Sequence, residues 1–201
     1  TSNVLIGCYV AKNSISLCAN ILMGMETGAC LCNGSHNIIM GQYAGRGSST
    51  VSNNTASFNI AFGQESLKVI SSGQHNVMFG KDTGMALTDG GCNIAIGCGA
   101  GASMTTEDHN VLIGTKAGAS LAGGTWGNNI AIGQESLEAN VTGFWNVSIG
   151  CAALRCSTGN QNVALGRRAG YHTTTGNRNF FVGNYTAYCN ISGDDNIYLG
   201  A

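Results

Sequence analysis

Twelve times along this 201-residue chain an asparagine stands four residues before a glycine, and no other feature constrains the fold as tightly. The glycines are Gly7, Gly24, Gly41, Gly63, Gly80, Gly97, Gly114, Gly133, Gly150, Gly166, Gly183 and Gly200. Their steps are 17, 17, 22, 17, 17, 17, 19, 17, 16, 17 and 17 residues, so a 17-residue unit survives one long insertion, one short insertion and one deletion. The asparagines are Asn3, Asn20, Asn37, Asn59, Asn76, Asn93, Asn110, Asn129, Asn146, Asn162, Asn179 and Asn196. A fixed period of this length is the signature of a solenoid, whose coils bury their apolar side chains against their neighbours. The expected fold is all-β, a parallel β-solenoid of about twelve coils of 17 residues, forming one repeat domain over residues 1–201.

Composition agrees with stacked short strands and tight turns. Glycine supplies 31 residues and proline none, while charged residues make up 9% against roughly 25% in an average soluble protein. Proline would remove a ladder donor from a sheet, so its absence suits a backbone whose N–H groups are committed to neighbouring coils. With a net charge of −1 and no basic run beyond Arg167-Arg168, the chain offers no footprint for nucleic acid. No apolar run reaches the length of a membrane span, so no membrane insertion is expected. Nine cysteines suggest a disulfide framework, but Cys8, Cys98 and Cys151 fall in coils one, six and nine, beyond bonding reach in a stack. Cys30-Leu-Cys32 has no matching second pair for a metal, and neither a metal nor another cofactor is expected.

The five-residue core of each repeat can be read column by column. The residue after Asn is Val, Ile or Phe, and the residue before Gly is Ile, Leu, Met, Phe or Val. Two apolar positions two apart make a short strand with one face in a core. The column between them reads Leu5, Leu22, Ile39, Ala61, Met78, Ala95, Leu112, Ala131, Ser148, Ala164, Phe181 and Tyr198. On this reading the middle column points away from the core and lays an apolar stripe roughly 50–60 Å long outside the coil. Such a stripe marks an interface, so Leu5, Leu22, Ile39, Ala61, Met78, Ala95, Leu112, Ala131, Ala164, Phe181 and Tyr198 are expected to meet symmetry copies of themselves.

Three residues past each glycine comes a small residue, such as Ala44, Ser66, Thr83 or Ala100, expected at the turn into a second strand. A variable stretch follows and holds every length change: residues 46–58, the neighbourhood of 123–127, and residues 155–161. Insertions confined to one corner map to loops on one face, often the binding face. The invariant asparagines are expected to form a ladder in which each side-chain amide bonds to the copies above and below.

Repeats of the form Asn-x-Ala-Ile-Gly-x-x-Ala, as at 93–100, resemble those of trimeric autotransporter adhesin heads. The fuller form Thr-Gly-x-x-Asn-x-Ala-Ile-Gly-x-x-Ala-Gly is similar to repeats in bacteriophage and large-virus tail-fibre proteins. The resemblance covers essentially the whole chain. It implies a left-handed β-roll with two short strands per coil and a homotrimer, one sheet of each chain facing a threefold axis. Carried over, Ile94 and Ile96 would fill the coil and Ala95 would face the axis. The chain has a longer period than the adhesin head, which places its extra residues in the variable corner. The implied function is a structural or adhesive segment of a longer fibre protein, located outside the cell or on a virion, whose variable loops attach to a host surface. A receptor or glycan is the expected partner besides the chain itself. Trp126, Phe144, Trp145 and Tyr171, aromatics of the variable corners, are the candidate contacts, equally suited to closing loops over the coil edge.

Enzymatic readings fare poorly. Ile96-Gly97-x-x-Ala100-Gly101 matches one unit of a left-handed β-helix acyltransferase, but such a helix needs three units per coil and each coil here supplies one. An ice-binding array needs aligned threonines, and Thr173-Thr174-Thr175 occurs in one coil. His36, His75 and His109 precede repeat asparagines in alternate coils, roughly 9–10 Å apart, too far to share an ion within one chain. Gln64-Glu65-Ser66 and Gln134-Glu135-Ser136 are the same repeat corner copied, and no nucleophile, base and acid are definable by spacing. The chain is not expected to be an enzyme.

Overall fold

The structure, a computed structural model, describes residues 2–48, 54–123 and 127–200. Among them twelve strands of three residues follow one another: β1 (Val4–Ile6), β2 (Ile21–Met23), β3 (Ile38–Met40), β4 (Ile60–Phe62), β5 (Val77–Phe79), β6 (Ile94–Ile96), β7 (Val111–Ile113), β8 (Ile130–Ile132), β9 (Val147–Ile149), β10 (Val163–Leu165), β11 (Phe180–Val182) and β12 (Ile197–Leu199). They form one parallel sheet in chain order. Each pairs with the same repeat position of the next coil, as Ala95 does with Leu112. The register holds across the long insertion (Ile39 with Ala61), the short one (Leu112 with Ala131) and the deletion (Ser148 with Ala164). Length changes are therefore absorbed at the variable corner without reaching the sheet.

The asparagine column explains that constancy. From Asn20 to Asn196 each backbone N–H donates to the Oδ1 of the asparagine one coil earlier, at 2.9 to 3.1 Å. At ten of those eleven steps the Nδ2 donates to the same oxygen, at 3.0 to 3.2 Å. The second Nδ2 hydrogen reaches a carbonyl of the variable corner, as Asn93 does to Glu107 O at 2.7 Å and Asn129 to Gly143 O at 3.0 Å. A buried side chain that must give two hydrogens and accept two can only be an amide. Aspartate lacks the donors, and serine lacks the second one.

Glycine is equally forced at the other end of the strand. Gly97 has φ +130°, and a Cβ built there would lie 2.5 Å from the carbonyl oxygen of Gly114 in the next coil. Any side chain would push the coils apart. Where threonine stands three residues on, its hydroxyl donates to the carbonyl of the next repeat glycine: Thr27 to Gly41 at 2.7 Å and Thr83 to Gly97 at 2.9 Å.

Two expectations are corrected. The first concerns the second strand. Past the glycine the chain alternates into the left-handed region, at Glu65 (φ 59°) and Leu67 (φ 51°), or at Glu135 (φ 57°) and Leu137 (φ 52°). This geometry is no strand, yet its N–H groups still bond to the next coil, Gly101 to Ala117 and Ser103 to Ala119, both at 3.0 Å. Each coil among the described residues thus carries one strand and one stacked turn. The residue before each asparagine is also left-handed, from Ser2 (φ 64°) to Asp195 (φ 58°), and none is glycine. A side chain there costs about 1–2 kcal/mol, and the hydrogen bonds of the adjoining ladder hold it in place.

The second correction inverts the strand. Ala95 is fully buried, whereas Ile94 and Ile96 are 38% and 39% exposed. Leu22, Ile39, Ala61, Met78, Leu112, Ala131, Ala164 and Phe181 are likewise sealed inside the coil. Leu5 and Tyr198 are 45% and 42% exposed because their coils are the first and last of the stack. The column expected to face an axis is the coil's own core. Volume explains the inversion, since the middle residue shares its space with the residue six positions later. Leu22, Ile39, Met78 and Leu112 face Gly28, Gly45, Gly84 and Gly118, and a Cβ at Gly118 would lie 2.8 Å from Leu112. In three coils the middle residue is small and the later one large and buried: Ala61 with Leu67, Ala131 with Leu137, Ser148 with Leu154. In two others both are small, Ala95 with Gly101 and Ala164 with Gly170, and the space is reached by Met104 and Leu112 and by Leu154 and Phe181. Ser148, the polar exception, donates to Ala153 O at 2.8 Å and accepts from Ser136 Oγ at 2.7 Å.

Two substitutions test these constraints. Asn93→Asp should lower stability by roughly 3 kcal/mol or more, because Asn76 Oδ1 and Glu107 O lose buried donors; urea unfolding measures it. Ala61→Leu should cost about 1–3 kcal/mol by overpacking and Leu67→Gly about 2–5 kcal/mol by leaving a cavity. Combining the two should recover most of the loss, and additive losses in the double-mutant cycle would contradict the shared volume.

Candidate functional site

With the middle column inside, the outer strand face belongs to its flanks. Val4, Ile21, Ile38, Ile60, Val77, Ile94, Val111, Ile130, Val147, Val163, Phe180 and Ile197 form one outer column. Ile6, Met23, Met40, Phe62, Phe79, Ile96, Ile113, Ile132, Ile149, Leu165, Val182 and Leu199 form the other. Every one is apolar, and each is exposed or half-buried. Phe62 and Phe79 stack within it, ring centroids 4.9 Å apart. At 4.8 Å per strand this face runs roughly 50 Å by 10 Å, as large as the largest apolar patches of ordinary soluble monomers.

Charge is gathered on another side. Residues two and five past the repeat glycine form two columns whose members pair within a coil or one coil apart. Arg46 Nε meets Glu26 at 3.0 Å, Lys68 meets Glu65 at 2.9 Å and Lys116 meets Glu138 at 3.6 Å. Arg155 Nε meets Glu138 at 2.6 Å and Glu135 at 3.2 Å, and its Nη1 donates to Tyr171 Oη at 2.6 Å. Those contacts, the Tyr171 bond first and Glu138 next, hold the Arg155 guanidinium above its ordinary pKa. Between Asp82 and Glu138 the band opens into a groove of about 450 Å³ floored by Gly99, Ala102, Ser103, Ala119 and Ser120.

The candidate loop aromatics separate. Phe144 and Trp145 pack edge to face, centroids 5.2 Å apart, at the corner before Asn146. Tyr171 stands instead in the charged band, stacked on Tyr188 at 5.1 Å and beside Arg155 and Arg168. Trp126 lies outside the described residues. At the asparagine corner His36, Phe58 and His75 stack at 4.9 and 5.1 Å, so a ring separates the histidines. The nine cysteines are free thiols. Among the described residues no three His, Cys, Asp or Glu side chains converge as metal ligands.

A second polar ladder escaped sequence reading. Two residues before the repeat asparagine, Asn160 N–H donates to Asn177 Oδ1 at 2.9 Å and Asn177 N–H to Asp194 Oδ1 at 2.7 Å, while Gly91 N–H donates to Asp108 Oδ1 at 2.6 Å. Its signal was visible as Asn, Asp or Ser recurring at one column.

These features define the chain as a parallel β-solenoid of in-register coils with one long apolar sheet face. Comparison with protein families, curated proteins and solved structures found no match to it.

Proposed function

We propose that the chain is a structural segment of an elongated fibre in which three copies pack through the outer sheet faces, with the charged band and variable corners left outward. One observation carries the reading: all flanking positions of the twelve strands are apolar, while the ion pairs lie elsewhere on the coil. A face of that length stays in water only at a cost, and burying it against copies of itself removes the cost without a new partner. The interface passes from the middle column to its flanks, and the self-association argument gains from the change, since two apolar columns replace one.

The repeat's resemblance to adhesin heads and tail fibres supports three chains over two. It also supports a location on a virion or outside the cell and attachment to a host surface through the variable corners. An enzymatic role draws no support from the open, ion-paired groove between Asp82 and Glu138.

Light scattering on the chain at micromolar concentration should give three times the 20.6 kDa chain mass. Ile94→Asp combined with Ile96→Asp should give the single-chain mass, with the circular dichroism of the parent and little loss of coil stability, since both side chains point outward. A wild-type monomer would remove the proposal, and a dimer would keep the face but not the threefold arrangement.

A further inference from the structure

Coil six carries a cysteine at each end of its outer strand face, and no other coil does. Cys92 stands immediately before Asn93 and Cys98 immediately after Gly97, with β6 between them. Both thiols are exposed and free. Their backbones are pinned to the neighbouring coils, Cys92 N–H donating to Gln74 O and Lys116 N–H to Cys98 O, each at 2.9 Å. One coil away in the same columns stand His75 and His109 beside Cys92, and Lys81 and Thr115 beside Cys98, so stacking brings neither thiol a partner from its own chain. Nor can the two join each other. The extended residues of β6 hold their backbones roughly 10 Å or more apart, and a disulfide needs Cα atoms within about 7 Å.

We propose that each thiol finds its partner on a neighbouring copy, so that three Cys92–Cys98 disulfides between chains staple the trimer at coil six. Ile94 and Ile96 point outward between the two cysteines, and turning them toward a threefold axis turns the two edges of each face toward two different neighbours. Rotation about an axis along the rod preserves height. Coil six therefore meets coil six, with the Cys92 edge of one chain against the Cys98 edge of the next, three times around the ring. The same corner is compatible in other coils: Asn128 faces Gln134 in coil eight, and from coil one to coil eleven no two like charges oppose each other at neutral pH. Cys8 and Cys151 share the Cys98 column, but their coils offer Ser2 and Trp145 at the opposite edge, so those two stay unbridged. The bridge rests on the threefold arrangement proposed above and gives it a covalent, redox-controlled form.

Each bridge forms one S–S bond and breaks two S–H bonds. The oxidant is a small-molecule disulfide such as oxidised glutathione. One cysteine thiolate attacks it and releases a first glutathione thiol, and the partner thiolate attacks the mixed disulfide and releases the second. The two electrons and two protons that leave the cysteine pair thus end on the two glutathiones. Within an assembled trimer the closing attack is intramolecular and draws on a high effective concentration, so bridging follows assembly.

The test uses the full chain with Cys8→Ser, Cys18→Ser, Cys151→Ser and Cys189→Ser, which removes the exposed thiols outside coil six. Incubated with oxidised glutathione and EDTA, blocked with iodoacetamide and run on a denaturing gel without reductant, it should give a covalent species of three chains that dithiothreitol returns to one. Adding Cys92→Ser or Cys98→Ser should leave single chains. Refolding those two variants together should restore a covalent pair, because one supplies Cys98 and the other Cys92. Serine fits both places, since Ser2 stands in the first column and Thr115 in the second, so an unchanged circular dichroism spectrum separates a lost bridge from a lost fold. A link between Cys92 and Cys98 of one chain, a covalent pair from either variant alone, or unreacted coil-six thiols in a trimer would each overturn the bridge. Light scattering in dithiothreitol separates the two readings: a trimer there that never cross-links removes the bridge alone, and a monomer there removes the threefold fibre and the bridge with it.

Discussion

Everything else in this molecule depends on a column of buried side-chain amides. The asparagine ladder recurs at each coil through both insertions and the deletion, together with the sheet register it fixes, and it uses the hydrogen-bonding capacity of the group. Because each Oδ1 takes the backbone hydrogen of the next asparagine, and at ten of eleven steps its side-chain hydrogen too, neighbouring coils can neither slip by a residue nor rotate. A slip would strand buried donors and acceptors and turn the strand over in the same move. The glycine at the far end of the strand sets the spacing and the asparagine sets the phase. Between these two columns only three residues remain, and so each strand is three residues long.

Inside the coil, size is conserved more strictly than identity. In most coils one large side chain comes from either of two positions six residues apart, with a small residue at the other, and a second comes from the turn, as Leu31, Ile70, Leu87, Met104 and Leu121 do. Outside, the same strand turns two apolar side chains to solvent in each coil, while most ion pairs gather in the turn columns. The solenoid thus presents an apolar strand face and an ion-paired turn face along its length.

Sequence reading located the coils, the amides, the glycines and the strands, because these are periodic and each has a reason that admits few residue types. It placed the strand the wrong way round. A three-residue strand with apolar residues at every position fits either phase, since Ile94 and Ile96 make as good an inside pair as Ala95 makes a single inside residue. The information that fixes the phase lies six residues away, in the exchange of Leu67 for Gly84 as Ala61 becomes Met78. Inspecting a five-residue motif alone missed it. The tyrosine and arginine patch was hidden for a related reason. Tyr171 stood out as a loop aromatic, but its neighbours Tyr188 and Arg155 are 17 and 16 residues away, and only the stacking of repeat columns makes them adjacent.

Because the backbone hydrogen bonds of the sheet run from coil to coil, they point along the long axis of the rod and not across it. Tension applied to the two ends of one isolated chain would therefore load them a coil at a time, opening the terminal turn before its neighbour feels any force. A rod built this way peels under low force, like a zip drawn from its end. Packed against sister chains, a coil that leaves must also surrender two apolar side chains held by its neighbours, and the load passes sideways. In the proposed trimer the outer flanks of the strand would thus be a mechanical element as well as an interface, turning a strip that unzips into a shaft that carries tension.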